Sequence, residues 1–181
     1  MVNSIIETHF QSKNFYSIAM NHATQLMAAQ YQLILGSRGR LFSYLNSLNP
    51  EDFIKENSQF GHGGTVRNLL VHIANTYESW IIQKALGRKI EFTPFNSIDN
   101  LEKTISLFDG INLSLYTFIE RFSINPLEQI ILDVKGIQQR QTPLALFTHV
   151  TTHEFHHKGQ ILTLTRHLGY TPVDTDIIFF P

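Results

Sequence analysis

One helix near the C-terminal end of the chain is punctuated at both ends by its own residues. Thr142-Pro143 reads as an N-cap followed by proline at the first helical position, Gly169 as the closing residue, and Pro172 as the stop beyond it. Roughly 26 residues lie between, so the helix spans about 39 Å at 1.5 Å per residue. Most of the remaining chain also carries apolar residues at helical spacing, which makes the fold class all-α. The 181 residues read as a single domain, long enough to bury about 70% of the unfolded surface.

Upstream, Leu26, Met27, Leu33, Ile34, Leu41, Leu45 and Leu48 form a helical stripe from about Ala23 to Leu48. Gly36 and Gly39 interrupt it and mark a kink or a close packing contact. Asn49-Pro50-Glu51-Asp52 reads as cap, N1 proline and two first-turn acids of a short helix, ended by the loop Phe60-Gly61-His62-Gly63-Gly64. Thr65 is the expected N-cap of a helix that carries Leu69, Leu70, Ile73, Tyr77 and Trp80 and closes at Gly87. Another helix is expected from about Ser97 to Phe122. Between it and the last helix, Ile130, Ile131, Leu132 and Val134 with Gly136 suggest a short extended excursion or hairpin within residues 127–141. Residues 1–22 fit none of these elements and read as an N-terminal extension or a longer first helix.

Composition removes several classes of function. Fourteen basic against fifteen acidic residues leave a formal net charge of −1, and Lys and Arg are scattered, so neither nucleic acid nor an anionic membrane is an expected partner. No apolar run approaches the ~18 residues of a membrane span, and no secretory signal pattern opens the chain. A soluble, cytoplasmic protein is the expectation. With no cysteine, disulfides, thiolate ligands and a cysteine nucleophile are excluded, and any metal must be held by His, Asp or Glu.

Histidine is the anomaly. The chain has nine, and four of them (His149, His153, His156 and His157) fall between residues 149 and 157 of the last helix. Positions i and i+4 share a helix face about 5–6 Å apart at Cβ, so His153 and His157 can meet one transition metal. One straight helix cannot present three ligands to one ion, so a third must come from a facing helix. His72 is the best candidate, because it sits inside the apolar stripe Leu69-Leu70-Ile73; His62 lies in a glycine loop, and His9 and His22 in a weakly patterned stretch. Taken singly, a histidine on an apolar face is more often a hydrogen-bonded core residue, and an i,i+4 pair arises readily by chance in a His-rich chain. The inward-facing third histidine is what raises the metal reading to the level of the bland one.

His153-Glu154-Phe155-His156-His157 also satisfies H-E-x-x-H, the zinc-protease signature in which the Glu is the general base. That chemistry needs a downstream ligand. No Glu follows Glu154, and His167 and Gly159 stand at the wrong offsets. Glu154 is therefore expected to be solvated or paired rather than a base.

The run Thr142-Pro143-Leu144-Ala145 through His153-Glu154-Phe155-His156-His157-Lys158-Gly159-Gln160-Ile161, then Leu168-Gly169-Tyr170-Thr171-Pro172, resembles the last helix of the DinB/YfiT-like superfamily. Thr65 through Ala74, continuing to Trp80, resembles that family's second helix, and the resemblance covers roughly residues 25–180. It implies an up-down-down-up four-helix bundle, a homodimer, and one divalent ion, Ni or Zn, held by three His. Carried over by position, these are His72, His153 and His157. It further implies a metal-dependent S-transferase that joins a low-molecular-weight thiol such as bacillithiol, mycothiol or glutathione to a small electrophile. The family label refers to DNA-damage induction and implies no DNA binding. Gln160 is placed near the ligand face, Trp80 and Tyr77 as core or pocket wall, and His149, His156 and His167 as surface, packing or supporting residues. No catalytic residue is assigned. A hydrolase using metal-bound hydroxide and a non-catalytic metal-binding or stress-response bundle remain alternatives.

Overall fold

The computed structural model describes residues 22–57, 59–60 and 64–180. The expected extension over residues 1–22 lies outside them apart from the backbone of His22, and His9 and His62 lie outside as well. The elements are α1 (His22–Leu45), α2 (Pro50–Phe53), α3 (Val66–Tyr77), α4 (Leu101–Arg121), β1 (Ile130–Val134), β2 (Ile137–Gln141) and α5 (Pro143–His167). Helix α3 runs on without a break as a π-helix over Glu78–Ala85. The molecule is thus mostly helical with one small two-stranded sheet. Among the described residues, no helix is long and apolar enough to cross a membrane.

Local chemistry sets the ends. Thr65 Oγ1 accepts the Asn68 N–H at 2.9 Å and Thr142 Oγ1 accepts the Ala145 N–H at 3.1 Å, as the cap pattern requires. Gly87 and Gly169 carry positive φ beyond the helices they follow, the conformation that glycine adopts most cheaply. Helix α4 starts at Leu101 rather than Ser97, because Asn100 supplies the cap through a 2.9 Å bond from the Lys103 N–H. Asn49, read as a side-chain cap, makes no such bond; its own N–H donates to the Tyr170 hydroxyl at 3.0 Å. The excursion is a hairpin in the register Ile130↔Gln141 to Val134↔Ile137. Its two turn residues, Lys135 and Gly136, have φ of 56° and 80°, as a tight turn matched to strand twist demands.

Side-chain bonds give the helix directions. Arg38–Glu154 and Tyr44–Thr165 run in step, so α1 and α5 point the same way. Tyr31–Asn112 and Phe42–Phe108 run counter, so α1 and α4 are antiparallel. The Arg121 guanidinium donates to the Leu86 carbonyl at 3.2 Å, which joins the C-terminal ends of α4 and of the α3 rod. Two neighbours pointing the same way need a long return connection, and residues 86–100 supply it. Its midpoint is pinned to the helix it passes. The buried Glu78 carboxylate accepts the Thr93 N–H and hydroxyl at 3.1 and 2.9 Å, and the Asn75 amide donates to the Thr93 carbonyl at 3.1 Å.

The core is aromatic, with Tyr31, Tyr77, Phe108, Phe118 and Phe147 fully buried. Set into it is a charged cluster. Arg38 donates to both Glu154 oxygens (Nε at 2.9 Å, Nη2 at 2.6 Å), the Tyr77 hydroxyl donates to Glu154 Oε2 at 2.7 Å, and Lys158 Nζ lies 3.1 Å from Oε1. Arg38 also donates to Asn112 Oδ1 at 2.7 Å, and Lys158 to Ser37 Oγ at 3.0 Å. Arg38, Glu154 and Lys158 are 3%, 1% and 1% exposed, so each depends on the others for the solvation that water would have provided. Burial pushes the Glu154 carboxyl up, but the charges of Arg38 and Lys158 and the bonds from Arg38 and Tyr77 outweigh it and hold it at about 2.

Two outcomes follow. A carboxyl moved down to about 2 from an ordinary 4.5 contributes stability that is complete above about 4.5 and lost as the pH falls through 2. Urea unfolding across that window should show falling stability in the wild type and a flatter profile in Glu154→Gln; equal slopes would mean that Glu154 is not the linked group. The second outcome concerns Gly36, where an added Cβ would stand 2.7 Å from Phe180 Cβ, so the close-contact reading of this glycine is the correct one. Alanine favours a helix interior by about 0.8–1.0 kcal/mol, yet Gly36→Ala must displace Phe180. Faster proteolysis after residue 170 with little change in global unfolding is the expected result.

Candidate metal centre

Helices α3 and α5 run antiparallel, and three imidazoles meet where they pack. The Nε2 atoms of His72 and His153 are 3.1 Å apart. Ring centroids lie at 4.9 Å for His72–His153, 4.6 Å for His72–His157 and 4.4 Å for His153–His157. One ligand atom from each of the three falls within 4.8 Å of the others. Two nitrogens about 2.0–2.1 Å from one tetrahedral ion would stand ~3.3–3.4 Å apart, close to the His72–His153 separation. The donor set suits a borderline transition metal better than Mg or Ca, which take oxygen ligands. His72, His153 and His157 are therefore brought together, with His72 and His153 half-buried and His157 buried.

His157 is also oriented from behind. Its Nδ1 lies 2.7 Å from Gln160 Oε1, and the Gln160 Nε2 lies 3.2 Å from His156 Nε2. An amide oxygen only accepts, so Nδ1 carries the proton and Nε2 keeps the lone pair that a metal needs. His156 is exposed and reaches the triad through this amide and through its ring, which stands edge to face against His157 at 4.8 Å. On the other side, His149 lies against His153 at 5.7 Å and Trp80 against His149 at 5.3 Å, edge to face. Trp80 belongs to the π-helical segment, whose wider winding resets the side-chain directions beyond Tyr77. His167 stands apart from the triad, against Phe60 at 5.9 Å.

Glu154, the would-be protease base, is paired rather than solvated. Both of its oxygens are occupied by Arg38, Lys158 and Tyr77, and its depressed proton affinity suits a counter-ion and not a proton acceptor. Reading the sequence missed Arg38 and Lys158. A usable signal was present: Arg38 follows Ile34 and precedes Leu41 on the buried stripe, and Lys158 lies at i+4 from Glu154.

The Gln160 bond has a spectroscopic consequence. At neutral pH, long-range ¹H–¹⁵N spectra should show His157 as the Nδ1–H tautomer, and Gln160→Leu should shift it toward a mixture. An unchanged tautomer in the variant would remove Gln160 from this role.

The DinB family model matches residues 20–181. YizA of Bacillus subtilis (strain 168), a protein described as uncharacterized, is 23% identical over 141 residues, which cover 78% of this chain and 87% of YizA. The family match spans α3 and α5 and with them all three histidines. The chain belongs to the DinB family.

Proposed function

We propose that this protein holds one divalent transition-metal ion, Ni or Zn, on His72, His153 and His157, and joins a low-molecular-weight thiol to a small electrophile. The observation that carries the reading is the meeting of three imidazoles from two helices with their ligand atoms within 4.8 Å. Family membership and the Gln160–His157 bond support it. The opposed and parallel helix pairs support an up-down-down-up four-helix bundle, which we take as the architecture; a homodimer is part of the same proposal.

An ion on three neutral ligands supplies Lewis acidity that favours the deprotonated form of a thiol beside it. The chain's own part is to hold and orient. Gln160 keeps the His157 Nδ1 proton in place, so the opposite ring nitrogen faces the other two imidazoles as an acceptor. Trp80 and His149 add aromatic surface beside His153, suited to the apolar part of an electrophile. With no cysteine in the chain, the sulfur nucleophile has to arrive with the cosubstrate.

Elemental analysis of purified protein should find close to one equivalent of metal per chain in the wild type. His72→Ala, His153→Ala and His157→Ala should each lower affinity by at least tenfold, and undiminished metal in all three would end the triad assignment. With metal present, turnover of a chlorinated aromatic or epoxide should need added thiol. Turnover without thiol would favour a hydrolase, and metal uptake without turnover under either condition a binding protein.

A further inference from the structure

We infer that the buried Arg38–Glu154–Lys158–Tyr77 cluster is the positioning device of the histidine triad. It sets the rotation of α5 about its axis and the height of α3 against α5. This inference rests on the metal reading above and assigns to it residues beyond the three histidines. The two ligands on α5 are each followed at once by a buried charge: His153 by Glu154, His157 by Lys158. Successive residues of a helix point about 100° apart. If Glu154 and Lys158 are tied to α1, the direction of His153 and His157 is settled, and it is toward α3. The ties are specific. Arg38 grips Glu154 through two nitrogens, and Lys158 reaches Ser37, the residue before Arg38. The partner helix is tied to the same carboxylate, because Tyr77, five residues beyond His72, donates to Glu154 Oε2 at 2.7 Å. A single carboxylate thus references both halves of the site.

Greasy contact alone does not do this. The apolar neighbours Val150, Phe147 and Ile161 bury surface without direction, and a helix can turn or slide modestly against them at little cost. A bidentate guanidinium–carboxylate pair is directional in both angle and distance. Apolar residues of similar volume commonly replace a buried ion cluster with no loss of stability, so stability by itself does not explain this one. Groups that orient metal ligands from behind typically change affinity by about 10–100-fold when removed.

Cobalt(II) is the probe, since its visible absorption reports coordination geometry while competition with a chelator reports affinity. Two proteins are compared with the wild type: Tyr77→Phe, and Arg38→Met, Glu154→Leu and Lys158→Met combined. Unfolding of each metal-free protein is measured alongside. The triple variant should unfold no more easily than the wild type, yet bind cobalt at least tenfold more weakly and with a changed spectrum. Tyr77→Phe should show a smaller loss, about threefold, with the same direction of spectral change. A folded triple variant with wild-type affinity and spectrum overturns the positioning role. Should the triple variant not fold, Tyr77→Phe decides alone: unchanged cobalt binding overturns the role, and weakened binding at unchanged stability supports it. A wild-type protein that takes up no cobalt overturns the metal reading and this inference with it; binding by all variants alike overturns the inference alone.

Discussion

Two cations and one carboxylate have been taken out of water at the centre of this molecule, and the surrounding helices are arranged as such an act requires. Removing the carboxylate would leave two buried cations without a counter-charge, and breaking such a pair costs about 3–5 kcal/mol. The partners come from several stretches of chain: Arg38 from α1, Glu154 and Lys158 from α5, with Tyr77 from α3 and Asn112 from α4 completing the shell. Arg38 also lies 4.6 Å above the Phe108 ring, so even the aromatic core contributes electrostatically. Four helices therefore meet at one set of bonds. Apolar burial supplies the drive to collapse, and this cluster narrows the number of ways to collapse.

The histidine centre occupies the neighbouring layer, closer to the surface. Its histidines alternate along α5 with the residues of the cluster, so one helix presents the two groups on adjacent faces. His153 and His157 look to α3; Glu154 and Lys158 look inward to α1. Beyond the first histidine on α3, the π-helical stretch alters the side-chain directions, and the same stretch carries Trp80 toward His149 and Glu78 toward the return connection. A departure from α-helical winding is stable here because both of its products, an aromatic contact and a pinned loop, hold it in place.

Much of this was legible from residues alone, for identifiable reasons. Thr65, Thr142, Pro143 and Gly169 are local signals whose meaning does not depend on the rest of the fold, and each helix end they mark is where it was expected. The triad was legible because i,i+4 spacing is a local fact and because His72 interrupts an apolar run. The π-helix was not, since nothing in Glu-Ser-Trp-Ile-Ile differs in propensity from an ordinary helix; packing against α4 and α5 decides the winding. Asn49 misled because the extended backbone and following proline of a cap were present while its side chain went unused. The partner of Glu154 was hidden for a third reason. Arg38 is 116 residues away, and a charge on an apolar stripe announces burial without naming its counter-ion.

That separation also governs the order in which the molecule can be made. Ser37 and Thr175, bonded at 2.6 Å, stand 138 residues apart, and Tyr44 and Thr165 stand 121 apart. On a ribosome, α1 emerges with an arginine on its core-facing stripe long before the last helix exists to receive it. Local helices form early, but the contacts that decide their arrangement close the longest loops in the chain and so come late. Until α5 is released, Arg38 keeps its water and the other helices have no fixed partner at the centre. Arrival of α5, rather than formation of any earlier helix, is the event that turns these segments into one structure.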